Sequence, residues 1–225
     1  MAYHINTGLI KEKFNSPCDC PLCEIKRVVE EQFLHEFLND AVMETRSRGL
    51  VNEYGFCSKH FDMLYKRQNK LSLAVQISSR IFALGDIIKQ ESSIKGAKKQ
   101  AEKLKKAQST CIICKLSDES MEKYYKGIAK LYADEESFAI AFKSTKGFCL
   151  EHYSALLEHS INAGFKAKQF VKDLTNLQIN SINRLTEDLN KYCQKHDYRN
   201  AYKPLGSAEN VLPRTKLKLF GKDYE

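Results

Sequence analysis

Eight side chains of this 225-residue sequence have the chemistry and the spacing of metal ligands. Two Cys-x-x-Cys pairs are each followed by a Gly-Phe-Cys-x-x-His motif. Thiolate and imidazole are donors that Zn²⁺ prefers, and three cysteines with one histidine form one of its usual structural ligand sets. The first set is Cys20, Cys23, Cys57 and His60, and the second set is Cys111, Cys114, Cys149 and His152. The pattern therefore predicts two Zn²⁺ ions per chain.

The two sets are copies of one another in order and in spacing. Corresponding cysteines of the Cys-x-x-Cys pairs are 91 positions apart, and corresponding residues of the Gly-Phe-Cys-x-x-His motifs are 92 positions apart. Buried core cysteines are common, but they do not recur in register with histidine. We therefore expect each half of the chain to close its own site, with the ion tying together the two ends of a helical hairpin.

Other cysteines and other metals leave alternatives open. Thiolate-rich sites also suit iron, so an iron–sulfur centre is the alternative to zinc. Cys18 has no counterpart in the second half, so we expect it to be a spare thiol. Cys193 has no partner in the sequence, so we expect it to be a structural cysteine. No pattern supports His4, His159 or His196 as ligands.

The composition is that of a folded, mostly helical chain. Hydrophobic residues make up 43% and charged residues 28%, and prolines and glycines are few for this length. The first ten residues lack a basic start with an apolar run, and no stretch approaches the roughly 18 continuous apolar residues of a membrane span. We therefore expect a cytoplasmic protein without membrane association. Thiols stay reduced in that compartment, which favours metal over disulfides.

Helical periodicity surrounds the ligand motifs. Apolar residues recur at helical spacing on several long stretches, and strand signals are nearly absent. We predict an all-α fold of two pseudo-symmetric helical repeats, each tied by a Cys₃His site. The predicted divisions are a first repeat at 1–92, a basic helical linker at 93–110, a second repeat at 111–196 and an irregular tail at 197–225. Within the first repeat, residues 1–17 are expected to form a loosely held arm.

Several segments of the chain resemble a known family. These are the Cys-Pro-Leu-Cys segment at 20–23, both Gly-Phe-Cys-x-x-His motifs, and the tail segments 196–200, 211–214 and 218–221. Together they resemble a family of uncharacterised bacterial proteins common in Firmicutes. The second Cys-x-x-Cys pair departs from the first, with Ile112-Ile113 in place of Pro21-Leu22. The resemblance covers almost the whole chain and implies the duplicated plan, but no activity.

The ligand sets favour a structural role over catalysis. Four protein ligands leave no open position for a reacting water, and the sequence holds no nucleophile elbow, phosphate loop or dinucleotide fingerprint. We expect a zinc-binding helical protein that is not an enzyme and that binds an unknown protein partner. A thiol-based redox or metal sensor is the first alternative. The net charge of +8 makes nucleic-acid binding the second. The predicted helix at 163–194 also offers a surface for a homodimer.

Overall fold

The fold is all-α, as predicted. The computed structural model describes residues 7–39, 42, 44–89, 93–195, 199, 202 and 204–222, and these form eleven α-helices and no β-strand. The helices are α1 (Thr7–Asn15), α2 (Pro21–Leu38), α3 (Thr45–Tyr54), α4 (Ser58–Tyr65), α5 (Lys70–Lys89), α6 (Ile94–Gln108), α7 (Ile112–Asp134), α8 (Glu136–Ser144), α9 (Leu150–Glu158), α10 (Ala167–Gln194) and α11 (Val211–Phe220). Two 3₁₀ segments lie at Ser160–Lys166 and Gly206–Ala208.

The chain folds into two compact units. The terminal unit comprises Met1–Arg27 and Met121–Tyr224, and the central unit comprises Val28–Ser120. Both boundaries fall inside long helices, α2 and α7. Each unit therefore contains one Cys-x-x-Cys pair and one Gly-Phe-Cys-x-x-His motif, and in each unit the two come from different halves of the sequence.

An aromatic cluster forms the core of the terminal unit. Phe142 lies at its centre, with ring-centroid distances of 5.3 Å to Phe170, 5.6 Å to Phe148 and 5.4 Å to Tyr132. The apolar stripe of α10 (Phe170, Leu174, Leu177 and Leu185) is buried in this unit, where α10 packs on α8, α9 and α11. Most of the apolar side of the predicted helix at 163–194 is thus part of the core, whereas Ile182 is exposed.

Two terminal segments are more ordered than we expect from their sequences. In the predicted loose arm, residues 7–15 form α1, because Leu9, Ile10 and Phe14 share one face that the unit buries. The Phe14 ring lies 5.0 Å from that of Phe138. In the predicted irregular tail, Val211–Phe220 form α11. Pro213 lies in its first turn, where a missing backbone N–H costs no helical hydrogen bond.

Helix α5 organises the central unit. It contacts α3, α4 and α6, and its buried side carries Leu73, Gln76 and Arg80. Gln76 donates to the carbonyl of Phe37, and the Arg80 guanidinium donates to the carbonyls of Asn52 and Ala107. The buried donors Gln76 Nε2 and the Arg80 guanidinium thus find acceptors, whereas Gln76 Oε1 has no hydrogen-bond partner among the described residues.

Candidate metal centres

The structure gathers all eight predicted ligands into two clusters, but it pairs them across the halves. The first cluster consists of Cys20, Cys23, Cys149 and His152, and the second consists of Cys57, His60, Cys111 and Cys114. Within each cluster the ligand atoms all lie within 4.8 Å of one another. The prediction that each half closes its own site is therefore wrong.

Helix lengths explain the exchanged pairing. An α-helix rises about 1.5 Å per residue, so the 18 residues of α2 carry the chain about 27 Å, whereas the 10 residues of α3 return about 15 Å. The second half has the same imbalance, with 23 residues in α7 and 9 in α8. A short return helix does not bring the Gly-Phe-Cys motif back to the preceding Cys-x-x-Cys pair. Each pair therefore meets the motif of the other half.

Every ligand pair lies at the N-terminus of a helix. In each pair the first ligand immediately precedes the helix and the second is its third residue, which places both on one side of the first turn. The first cluster joins the N-termini of α2 and α9, and the second joins those of α4 and α7. The positive end of a helix dipole favours thiolate over thiol. Two such ends converge on each cluster.

The atom spacing in the first cluster is compact. Sγ of Cys149 lies 4.0 Å from Sγ of Cys20 and 3.8 Å from Sγ of Cys23. Nδ1 of His152 lies 3.5 Å from the sulfurs of Cys20 and Cys23 and 3.1 Å from that of Cys149. All four residues are buried.

The second cluster repeats these distances with greater exposure. Sγ of Cys57 lies 3.8 Å from Sγ of Cys114. Nδ1 of His60 lies 3.3 Å from Cys57, 3.4 Å from Cys111 and 3.3 Å from Cys114. Cys111 and His60 are buried, whereas Cys57 and Cys114 are only partly buried.

These spacings match the ligand shell of one tetrahedral ion. With metal–sulfur bonds of ~2.3 Å and metal–nitrogen bonds of ~2.0–2.1 Å, a tetrahedron places its sulfurs about 3.8 Å apart and each sulfur about 3.5 Å from the nitrogen. Disulfide sulfurs, by contrast, are about 2.05 Å apart. All eight cysteines of the chain are free. Each cluster can hold one ion between three sulfurs and Nδ1.

The protein concentrates negative charge on one sulfur of each cluster. Hydrogen bonds from Cys114 and then from His60 lower the pKa of Cys111 to about 3, against the effect of burial. Burial opposes a charge on His60, yet its contacts with Cys111 and with Glu30 raise its pKa to about 10. In the first cluster, hydrogen bonds from Cys20 and Cys23 lower the pKa of Cys149. A thiolate, the form of cysteine that binds metal, is thus already favoured in each cluster.

A glycine makes the sharp turn before each Gly-Phe-Cys ligand. Gly55 has φ 65° and Gly147 has φ 104°, a region that L-residues rarely adopt. A Cβ on Gly147 would lie 2.8 Å from Cβ of Ser181. In the same turn, Gln178 brackets Phe148: its Oε1 accepts from the Phe148 amide, and its Nε2 donates to the Phe148 carbonyl. Both turns therefore require glycine for its backbone conformation, and the turn at Gly147 also requires it for the close approach to Ser181.

The C-terminal helix covers the first cluster. Gly221 follows α11 directly, and a Cβ added to it would lie 3.9 Å from the sulfurs of both Cys149 and Cys23. The backbone amide of Lys222 donates a hydrogen bond to Cys23. Lys218 of α11 is only 6% exposed, and its ammonium donates to the Phe148 carbonyl and to Ser181 Oγ. Burial lowers the pKa of Lys218, and the nearby thiolates oppose that effect. A buried ammonium whose hydrogen-bond acceptors are neutral is stabilised by a nearby negative charge, and the thiolates of Cys20 and Cys149 supply that charge.

The second cluster has a buried carboxylate behind its histidine. Oε1 of Glu30 lies 3.6 Å from Nε2 of His60, on the side of the ring away from the sulfurs. Glu30 is 4% exposed, and Lys59 Nζ lies 3.2 Å from the same carboxylate. A carboxylate behind a ligating histidine orients the ring and increases its basicity. Glu30 lies on α2, seven positions after Cys23 and outside both ligand motifs, and its position gave no signal in the sequence.

Comparison with known proteins assigns the chain to a family. The model of a family of unknown function, DUF6062, matches residues 1–225. The chain belongs to this family. No curated protein and no solved structure matches it. The description of DUF6062 assigns no activity to its members.

The remaining cysteines and histidines of the described part of the chain lie outside both clusters. Cys18 Sγ is 3.7 Å from the Lys13 carbonyl, and burial, with Glu24 and Asp19, raises the pKa of this thiol. Cys193 is exposed on α10. The ring of His159 stacks on Tyr125 at 5.6 Å. His4 and His196 lie outside the described residues. None of the described members of this set adds a fifth ligand.

Proposed function

We propose that this DUF6062 protein holds two Zn²⁺ ions in closed structural sites, is not an enzyme and acts by binding a protein partner. The observation that carries the proposal is the repeated ligand shell. Two sets of three sulfurs and one Nδ1 have the spacing of a tetrahedral ion. Each shell is complete without water, and a complete shell is typical of structural rather than catalytic zinc.

Ligand spacing favours a single ion over an iron–sulfur cluster. In a multi-iron cluster the protein ligands bind different iron atoms, with bridging sulfides between them. Ligand atoms that all lie within 4.8 Å of one another leave room for one ion only. Among single ions, a buried set of three thiolates and one imidazole suits Zn²⁺.

The chain topology explains what the ions would do for the fold. Cys20 and Cys149 are 129 positions apart, and Cys57 and Cys114 are 57 apart, so each ion would clip together remote segments. Bringing such segments together costs chain entropy, which ligand binding in the folded state offsets. Rigid helix N-termini would then present the surrounding helices to a partner in a fixed arrangement.

Metal analysis of the purified protein tests the proposal. We expect about two zinc ions per chain, a colourless solution, and, after Co²⁺ exchange, the visible spectrum of tetrahedral cobalt with thiolate ligands. Removal of the metal with a chelator should lower the melting temperature and reduce helicity. A brown protein that contains iron and inorganic sulfide would contradict the proposal, and so would a metal-free protein with unchanged melting.

A redox or metal sensor is a second candidate, and the exposure of the second cluster favours it. Cys57 and Cys114 are partly exposed, whereas all four ligands of the first cluster are buried. Accessible thiolates oxidise first, so hydrogen peroxide would release zinc from the second cluster before the first. Zinc release can be followed with a chromogenic chelator in Cys57→Ser and Cys149→Ser variants, each of which retains one intact site. Equal release rates from the two variants would exclude a sensor at the second cluster.

A further inference from the structure

The central unit exposes an apolar helix face beside a lysine-rich helix. The α5 face consists of Leu71, Val75, Ile81, Phe82 and Ile88, which at 100° per residue occupy an arc of about 140°. Leu71 is 75% exposed and Phe82 is 70% exposed. Several large apolar side chains exposed on one side of a helix are typical of interaction sites. Ile94, at the start of α6, is 94% exposed.

The neighbouring helix α6 supplies a strong positive charge. It carries six exposed lysines: Lys95, Lys98, Lys99, Lys103, Lys105 and Lys106. It is held against the C-terminal part of α5, where Gln100 Nε2 donates to the carbonyls of Ile87 and Ile88 at 2.9 and 2.7 Å. Residues 70–110 contain nine basic and three acidic residues, and they therefore account for six of the eight surplus positive charges of the chain.

We propose that the α5 face and the lysines of α6 together bind an anionic lipid surface. Apolar side chains enter the boundary between headgroups and acyl chains, and lysines attract the anionic headgroups. An anionic membrane satisfies both features at once. A second copy of the chain would cover the apolar face but would bring two strongly basic helices together, which costs electrostatic energy. Nucleic acid would neutralise the lysines and leave the apolar face exposed to water.

The helix lies on the membrane rather than crossing it. Among the described helices, α5 alone is long and apolar enough to span a bilayer by length and composition. Its opposite side, however, buries Gln76 and Arg80, whose side chains hold the carbonyls of Phe37, Asn52 and Ala107. Spanning would break these hydrogen bonds. In length and composition α5 therefore departs from the expectation that no segment could span a membrane, and the contacts of Gln76 and Arg80 are what argue against spanning.

Vesicle flotation with the full-length, metal-loaded protein tests this inference. The probes are vesicles of phosphatidylcholine alone and of an equimolar mixture of phosphatidylcholine and phosphatidylserine. We expect binding to the mixture, at least about tenfold weaker binding to the neutral vesicles, and weakening with added salt. Phe82→Ser should weaken binding several-fold, and Lys99→Glu with Lys106→Glu should weaken it by at least about fivefold for each lysine.

Matched controls use exposed residues of the terminal unit. Phe165→Ser and Lys172→Glu should leave binding unchanged, because both lie outside the proposed surface. Zinc content and circular dichroism confirm that each variant is folded. Absence of binding to the mixed vesicles, or binding that Phe82→Ser leaves intact, would overturn the inference. A dimer that Phe82→Ser dissociates in sedimentation would assign the face to a second copy instead. Preferential binding of a labelled oligonucleotide would assign the lysines to nucleic acid.

Discussion

Glu30 Oε1 lies 3.6 Å from Nε2 of His60, so the second cluster has a buried carboxylate directly behind its imidazole. Among the described residues, His152 of the first cluster has no carboxylate within ion-pair distance. Neither His60 Nε2 nor His152 Nε2 has a hydrogen-bond partner there, so the difference between them is the ion pair with Glu30. The two clusters thus have the same types of ligand, but only the second has a carboxylate behind its histidine. Because only the second cluster has this carboxylate, substitution of Glu30 should change the metal affinity of the second cluster and leave that of the first unchanged.

Glu30→Gln should weaken metal binding at the second cluster only. Loss of a carboxylate behind a ligating histidine typically costs about 10- to 100-fold in metal affinity. We expect one of the two ions to be lost about 10- to 100-fold more readily in competition with a chelator, and the other to be unaffected. Glu31→Gln is the matched control, since Glu31 pairs with Arg67 at the surface. A uniform loss at both sites would contradict the assignment.

Paired cysteine substitutions test the exchanged pairing directly. Cys20→Ser with Cys149→Ser removes two ligands from the first cluster and should leave one zinc ion per chain. Cys20→Ser with Cys57→Ser removes one ligand from each cluster and should damage both. Zinc content and the cobalt spectrum of the two double variants report the number of intact sites. Pairing within each half would give the opposite result, with Cys20 and Cys57 belonging to one site.

The ligands could be predicted from the sequence, and their partners could not. Residue type and three-residue spacing identify Cys20 with Cys23 and Cys149 with His152, because both depend only on the first turn of a helix. Which two helix ends meet depends on helix lengths and on packing between residues that are 51 to 132 positions apart. The positions of Glu30 and Lys218 beside the clusters could not be predicted for the same reason, since burial beside a site is a property of the fold. The unequal lengths of outgoing and return helices were the available signal.

Gly147→Ala should destabilise the terminal unit. The change forces an L-residue to φ 104° and places a Cβ 2.8 Å from Cβ of Ser181, beside the turn that presents Cys149. Strain of this kind costs roughly 1–3 kcal/mol, and the clash adds to it. Urea unfolding of the zinc-loaded protein measures the loss. Gly164→Ala is the control, because Gly164 also has positive φ but an added Cβ meets no atom within 4 Å. Equal losses in the two variants would show that the close approach to α10 contributes nothing.

Asp188→Asn should reduce stability at neutral pH and lose this effect in acid. The Asp188 carboxylate accepts from Ser207 Oγ at 2.6 Å and from Arg214 Nη1 at 2.8 Å, and these hydrogen bonds lower its pKa below 3.8. A carboxyl group with a lower pKa in the folded state stabilises the fold above its unfolded pKa of about 3.9. That contribution is lost as the pH falls through the folded value.

The free energy of unfolding of Asp188→Asn should therefore be about 1 kcal/mol lower than that of the wild type at pH 7, which is typical of hydrogen bonds to a charged group at a partly screened site. This difference should shrink below about pH 4. Urea unfolding of both proteins at each pH measures it. Protonation of the metal-binding thiols also weakens the fold in acid, but it does so in both proteins, so the difference isolates Asp188. Glu187→Gln is the control, because the neighbouring Glu187 is exposed. A difference as large at pH 3 as at pH 7 would show that Asp188 acts through packing rather than charge, and that α11 is held to α10 without its carboxylate.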